Sequence, residues 1–244
     1  MDSAIFSTTV RSLLDKIDFE QKENIDKASE IIFNSMKNDG LLHVFSTGHS
    51  HMIAEEFFYR AGGLIPVNPL LNPFLMQHEG AVSSTRYERL SGVAKIVFEG
   101  ADIREGEPII IASNSGINTV PIEMALEGKA HGNPVIVLTS ASVSLSATSR
   151  HSSGKRLCEV ADIVIDTSVP KGDSVVTVGE GLKTGSVSSV VCLYAVQKIA
   201  IGVVQKFADS GLEPPIFKSA NLPGGDEYNA KLLSKYKGRI RSLY

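Results

Sequence analysis

Ile5, Val10, Leu13, Leu14 and Ile17, followed by Ile25, Ala28, Ile31, Ile32 and Met36, recur at near-helical spacing with charged residues between them. That period gathers the apolar side chains on one face, so the chain opens with two amphipathic helices, the second stopped by Asn38, Asp39 and Gly40. A continuous apolar run over 41–46 then ends at Thr47 and Gly48 and passes directly into helix-spaced residues 51–61, the pattern of strand, tight turn and helix. Gly62 and Gly63 close that helix, and 64–67 reads as a second strand before Pro69 and Pro73. Residues 75–94 have a helical tendency broken near Gly80 and Gly92. The clearest strand spans 109–112, and the turn Ser113-Asn114-Ser115-Gly116 with a helix over 120–131 repeats the first unit. Further strands fall at 134–139 and 162–166, separated by a serine- and threonine-rich loop over 140–155. A Gly- and Thr-rich connection over 172–185 feeds a long apolar helix over 186–208, ended by Gly211, Pro214 and Pro215.

Strands alternating with helices imply βαβ units. The fold class is therefore α/β, a three-layer αβα sandwich on a mostly parallel sheet of about five strands, with N-terminal helices added. The expected division is a helical extension over 1–40, an α/β domain over 41–210 and an irregular or helical tail over 211–244. The apolar stripe at Ile25, Ile31 and Ile32 calls for a partner, which predicts a homodimer or homotetramer.

Composition narrows the partners. With 244 residues, 43% of them apolar, the chain is globular rather than disordered. Lys and Arg total 24 against 27 Asp and Glu, so no global basic field draws nucleic acid or an anionic membrane. No Trp is present and aromatics make up 7%, a poor supply of stacking platforms for single-stranded nucleic acid. Gln197 and Lys198 mark the long apolar helix as a core helix, not a membrane span. Asp2 replaces the basic start of a secretory signal, and Cys158 and Cys192 are the only cysteines; both point to a reducing, cytoplasmic setting.

In open parallel sheets ligands sit beyond the carboxyl ends of the strands, where turns run into helix N-termini. Two turns here are rich in glycine and hydroxyl groups, Ser46-Thr47-Gly48-His49-Ser50 and Ser113-Asn114-Ser115-Gly116-Ile117-Asn118-Thr119. Such turns either cap their helices or cradle a phosphate on free backbone N–H groups. Neither carries a dinucleotide fingerprint or a Walker lysine. His49 and His51 stand two apart, off any shared helix face, so no metal site is expected.

The stretches VFSTGHSHMIAEEF, IIIASNSGINTVPIEMALEGKAHGNPVIVLTS and ADIVIDTSVP resemble the SIS (sugar isomerase) domain, in a branch similar to phosphoheptose isomerase and other phosphosugar isomerases. The resemblance implies a sugar-phosphate ligand, sites near subunit interfaces and no cofactor. By position it implies that Ser50, Ser113 and Ser115 hold the phosphate, with Gly48, His49, Asn114, Asn118 and Thr119 around them. Aldose–ketose isomerisation moves a proton between neighbouring carbons through an enediol, which needs a carboxylate or imidazole base. Glu56, on the helix after the first turn, and His78, in a segment resembling the His-Gly-Asp of arabinose-phosphate-type isomerases, are the candidates. Lys183, just before the long helix, resembles a Lys-x-Gly segment of amino-sugar ether lyases and is the one cation expected near the ligand. An isomerase, a non-catalytic sugar-phosphate sensor and an ether lyase all fit these residues.

Overall fold

In a computed structural model describing residues 3–243, strands β1 (Leu42–Ser46), β2 (Val67–Pro69), β3 (Ile109–Ala112), β4 (Val135–Thr139) and β5 (Ile163–Asp166) form one parallel sheet in the order β2-β1-β3-β4-β5. Met1 and Asp2, on which the expected chain start rests, lie outside the described residues. Every residue of β3 and β4 is buried, because helices cover both faces and no side of the strand meets water. The helices are α1 (Ser3–Glu20), α2 (Lys22–Met36), α3 (Met52–Phe57), α4 (Ala81–Tyr87), α5 (Val93–Glu99), α6 (Thr119–Ala130), α7 (Ala141–Ser146), α8 (Ser188–Asp209) and α9 (Gly225–Tyr236). Residues of α1, α2, α3 and α8 fill the core on one face, and residues of α5 and α6 fill it on the other, so the three layers expected from the alternation are present.

The stripe at Ile25, Ile31 and Ile32 is not left for another subunit. Ile25 and Ile32 are buried and Ile31 is partly covered, in one cluster with Val196, Ile199 and Val203 of α8. Ser29 Oγ donates to the carbonyl of Ile199 at 3.1 Å, and a Cβ on Gly202 would come within 2.4 Å of that hydroxyl, so the two helices meet closely at this glycine. Phe33 and Phe207 add an edge-to-face contact with centroids 4.9 Å apart. A helical period identifies an apolar face; it does not say that the partner lies 170 residues further along. Among the described residues α8 is the one helix long and apolar enough to cross a membrane, and here its apolar face lies against α1, α2 and α3.

Three boundaries differ from expectation. The helix after the first turn ends at Phe57, where Phe58 turns extended. The second strand is shifted to Val67–Pro69, an edge position that tolerates the proline. Residues 62–65 pair instead with the tail: Phe217 N donates to Gly63 O at 2.9 Å and Ile65 N to Pro215 O at 2.8 Å. The connection over 172–185 is an antiparallel hairpin, β6 (Ser174–Gly179) and β7 (Leu182–Ser186).

The tail is anchored at the amino edge of the sheet. Arg239 grips Glu107 with two hydrogen bonds, Nη1 to Oε1 at 2.7 Å and Nη2 to Oε2 at 3.0 Å. The same carboxylate accepts from the amides of Leu41 and Arg104 and from His43 Nε2 at 2.9 Å. Asn68 Nδ2 donates to His43 Nδ1 at 3.1 Å, so the imidazole proton sits on Nε2, facing Glu107. Burial alone would raise the Glu107 carboxyl; the bonds from His43, Arg239 and Arg104 outweigh it and hold the group well below the usual carboxylate range. Above this network Leu41, Ile65, Phe217, Tyr236 and Ile240 form a third apolar cluster.

Removing one partner of a buried pair strands the other charge. Arg239→Ala should therefore cost roughly 3 kcal/mol in urea unfolding, against less than about 1 kcal/mol for Lys235→Ala, whose pair with Asp39 is exposed. Because the folded-state pKa of Glu107 is depressed, its contribution is complete above the unfolded value of about 4.3 and is lost as pH falls below it. Between about pH 5 and about pH 3 the Tm of the wild-type protein should fall more steeply than that of Glu107→Gln.

Candidate functional site

β1 and β3 are neighbours, yet the chain leaves β1 toward the α2 and α8 face and leaves β3 toward the α5 face. Adjacent parallel strands whose connections part to opposite faces leave a crevice between their carboxyl ends. Both polar turns open onto it. In the first, Gly48 takes φ 56 and begins a 3-10 turn (Gly48–His51). His51 Nδ1 donates to Gly48 O at 2.8 Å, which leaves Nε2 buried without a partner among the described residues. Burial lowers the pKa of this imidazole, and the nearby His78 adds to the effect.

The second turn is tight. Gly116 N donates to Ser113 Oγ at 3.3 Å, and Gly116 has φ 60. A Cβ there would lie 2.6 Å from Ser144 Oγ and 2.9 Å from Thr139 Oγ1, so glycine is required both by conformation and by space.

A cavity of about 290 Å³ joins the turns to α8, lined by His49, Ser50 and Asn114 on one side and Asp173, Ser186, Ser188, Ser189 and Cys192 on the other. Asp173 lies between β5 and β6 with φ 66. Its Oδ1 accepts from the amides of Val187 at 3.0 Å and Ser188 at 2.7 Å, and its Oδ2 from Ser188 Oγ at 2.7 Å. A carboxylate thus already occupies the positive end of α8. The Cys192 thiol behind it is pushed up to about 12 by burial and by Asp173, which makes it an inert part of the wall.

The start of α6 has the opposite character. Residues 116–119 are clamped by the loop after α7: Leu157 N donates to Gly116 O at 2.8 Å, Arg150 N to Ile117 O at 2.9 Å, and Thr119 Oγ1 to Arg150 O at 3.2 Å. The Arg150 guanidinium donates to Asn118 Oδ1. Glu88, just after α4, spans both turns, its Oε2 accepting from Thr47 Oγ1 at 2.7 Å and its carbonyl from Val120 N at 3.0 Å. Among the described residues no group of three His, Cys, Asp or Glu side chains is placed to hold a metal.

Residues 6–140 match the model of the SIS domain. The chain belongs to the SIS domain family. Across 94% of its length this SIS protein is 44% identical to a UPF0309 protein of Caldanaerobacter subterraneus subsp. tengcongensis, covering 95% of that relative. It is 43% identical to a UPF0309 protein of Thermoanaerobacter pseudethanolicus, with the same coverage of each chain. Its fold is similar to that of a phosphoheptose isomerase from Francisella tularensis, with TM-score 0.54 and 16% identity over 82% of this chain and 95% of that one. It is likewise similar to the phosphoheptose isomerase GmhA from Neisseria gonorrhoeae, with TM-score 0.56 and 15% identity over 82% and 96%.

Of the residues singled out in the sequence, this SIS fold brings His49, Ser50 and Asn114 together in the cavity, beside Gly48. Ser113 is buried with its hydroxyl turned to Gly116, and Ser115 is half-buried. Asn118 and Thr119 face Arg150 and do not line the cavity. Glu56 accepts from Arg60 and from Gln197 Nε2 of α8. His78 is exposed, and its neighbour Gln77 donates to His49 Nδ1 at 2.6 Å, tying that segment to the first turn. Lys183 stands exposed on β7, just before α8, and does not line the cavity.

Asp173, Glu88 and Arg150 are the site residues that the sequence reading missed. Gly172-Asp173 ahead of Val175-Val176-Thr177-Val178, with Gly179-Glu180-Gly181 beyond, is a legible hairpin signal. Glu88 and Arg150 have no local signal, since what matters is the turn that each touches. Loss of the distant cap should be measurable: Asp173→Ala is expected to cost about 1–2 kcal/mol in urea unfolding, and Asp173→Asn, which keeps an acceptor for the amides, clearly less.

Proposed function

We propose that this SIS domain protein binds a sugar phosphate across the two turns and interconverts its aldose and ketose forms by proton transfer through an enediol. The observation that carries the reading is the polarity of the crevice. The α8 end holds the carboxylate of Asp173, whereas the turn before α6 offers the Ser113 and Ser115 hydroxyls with Arg150 beside them. A phosphate dianion is repelled at the first and favoured at the second, so the ligand lies with its phosphate toward α6 and Ser50 and its sugar hydroxyls toward Asp173, Ser188 and Ser189. The carboxylate and the serine hydroxyls supply acceptors and donors suited to a polyol. His78, next to the Gln77 that bonds His49, is the residue assigned to opening the sugar ring. Family membership and the fold shared with phosphoheptose isomerases agree with this assignment.

A thermal-shift panel of pentose, hexose, heptose and amino-sugar phosphates tests the ligand class. A ligand at a hundred times its Kd adds about 2.7 kcal/mol to stability, and the double variant Ser113→Ala, Ser115→Ala should lose that upshift. An unchanged shift in the double variant would refute the phosphate placement. In heavy water, deuterium should enter C1 or C2 of the bound sugar. Binding without any exchange would leave a sensor in place of an isomerase.

A further inference from the structure

A second cavity lies beside the edge strand β2, and it shares no lining residue with the crevice. It holds about 810 Å³ between the loop after β2, α5 and the end of the chain. Small-molecule sites typically span roughly 300–1,000 Å³. The two walls differ in chemistry. On one, Phe74 and Ile96 are 40% and 71% exposed, and Phe74 is set edge-to-face against Tyr87 with centroids 5.6 Å apart. On the other stand Lys237, Arg239 and Arg241. Residues 231–244 carry five basic side chains and no acidic one, in a chain whose net charge is −3.

Fixed hydrogen-bond acceptors lie between the walls. Asn68 is 6% exposed and lines the cavity, and both protons of its Nδ2 are spent inward, on His43 Nδ1 at 3.1 Å and the carbonyl of Ala101 at 3.2 Å. Its Oδ1 accepts from no group among the described residues, so this oxygen is what the side chain leaves to the cavity. Asp102, held at φ 45, adds a carboxylate that Arg239 Nε reaches at 3.3 Å. The Glu107 network sets this geometry, because one carboxylate fixes both the His43 on which Asn68 depends and the guanidinium of Arg239. Arg239 is thereby committed within the protein. Arg241, exposed and without an ion pair among the described residues, is the cation that a ligand can engage.

We propose that this cavity is a second ligand site, for a nucleoside phosphate. The apolar wall suits the face of a planar base. Asn68 Oδ1 and Asp102 can accept from ribose hydroxyls or base amino groups, and the Arg241 guanidinium matches a phosphate with two donors. A bare sugar phosphate would leave Phe74 and Ile96 uncovered, and an uncharged apolar ligand would make no use of Arg241. The site stands independently of the isomerase reading.

Calorimetric titration of the full chain with AMP, GMP, CMP and UMP tests the proposal. At least one should bind with a Kd below about 1 mM. Arg241→Glu and Ile96→Asp, exposed changes on opposite walls, should each weaken that binding by about 10-fold or more at an unchanged urea midpoint. The double variant Ser113→Ala, Ser115→Ala should bind the nucleotide as the wild type does. The free nucleoside and inorganic phosphate should each bind more weakly than the nucleotide. No binding of any of the four would overturn the proposal. Loss of binding in the serine double variant with Arg241→Glu unaffected would place the nucleotide in the crevice and overturn it also. Phosphate bound as tightly as the nucleotide, and equally well by Ile96→Asp, would reduce the site to an anion patch and refute the nucleoside assignment. A dimer in sedimentation equilibrium that Ile96→Asp dissociates, with no nucleotide bound, would give the face to a second copy instead.

Discussion

The pairing of β1 with β3, in register from His43 opposite Ile109 to Ser46 opposite Ala112, is the constraint from which the site follows. The two strands lie side by side as central neighbours of a parallel sheet, and their connections leave toward opposite layers. The gap cannot be closed by either connection, because each must turn away to bury its helix. Into that gap the chain puts two turns of small and polar residues, and Glu88 bridges them from the outside. The crevice is thus a consequence of topology, and the side chains decide only what it is suited to hold.

Charge then gives the crevice a direction. A protein with net charge −3 has no long-range field to gather an anion, so any anionic ligand must be met by local dipoles and individual side chains. Two long helices, α6 and α8, begin beside the crevice, and the equivalence of their positive ends is broken by Asp173. One helix start holds a carboxylate; in the other the Val120 amide is taken by the Glu88 carbonyl and Pro121 has no N–H, so its polar groups are the hydroxyls and loop amides of the turn before it. The long-range cap stabilises α8 and also removes it from competition for a phosphate.

The opposite edge of the sheet does structural work. Glu107 accepts bonds from Leu41, His43, Arg104 and Arg239, groups drawn from the start of β1, the approach to β3 and the end of the chain. Unpaired, the buried carboxylate would be costly; fully bonded, it locks the tail over residues that also pair with 62–65. Turns free to serve a ligand at one edge are supported by a closed polar network at the other.

Much of this was readable in the order of the residues. Fully apolar runs such as 109–112 and 135–139 identify strands covered on both faces, helical spacing identifies α1, α2, α6 and α8, and the glycine- and serine-rich ends of β1 and β3 identify where a ligand would sit. These signals are local, carried by a period or a turn residue within a few positions. Tertiary structure alone decided that the Ile25 and Ile32 face belongs to α8, that 62–65 pair with the tail and not as a strand of the sheet, and that Glu88 and Arg150 reach the two turns. Each of these pairs residues far apart in the chain. A pattern along the sequence records that a face is apolar or that a residue carries charge, and only the packed fold supplies the partner.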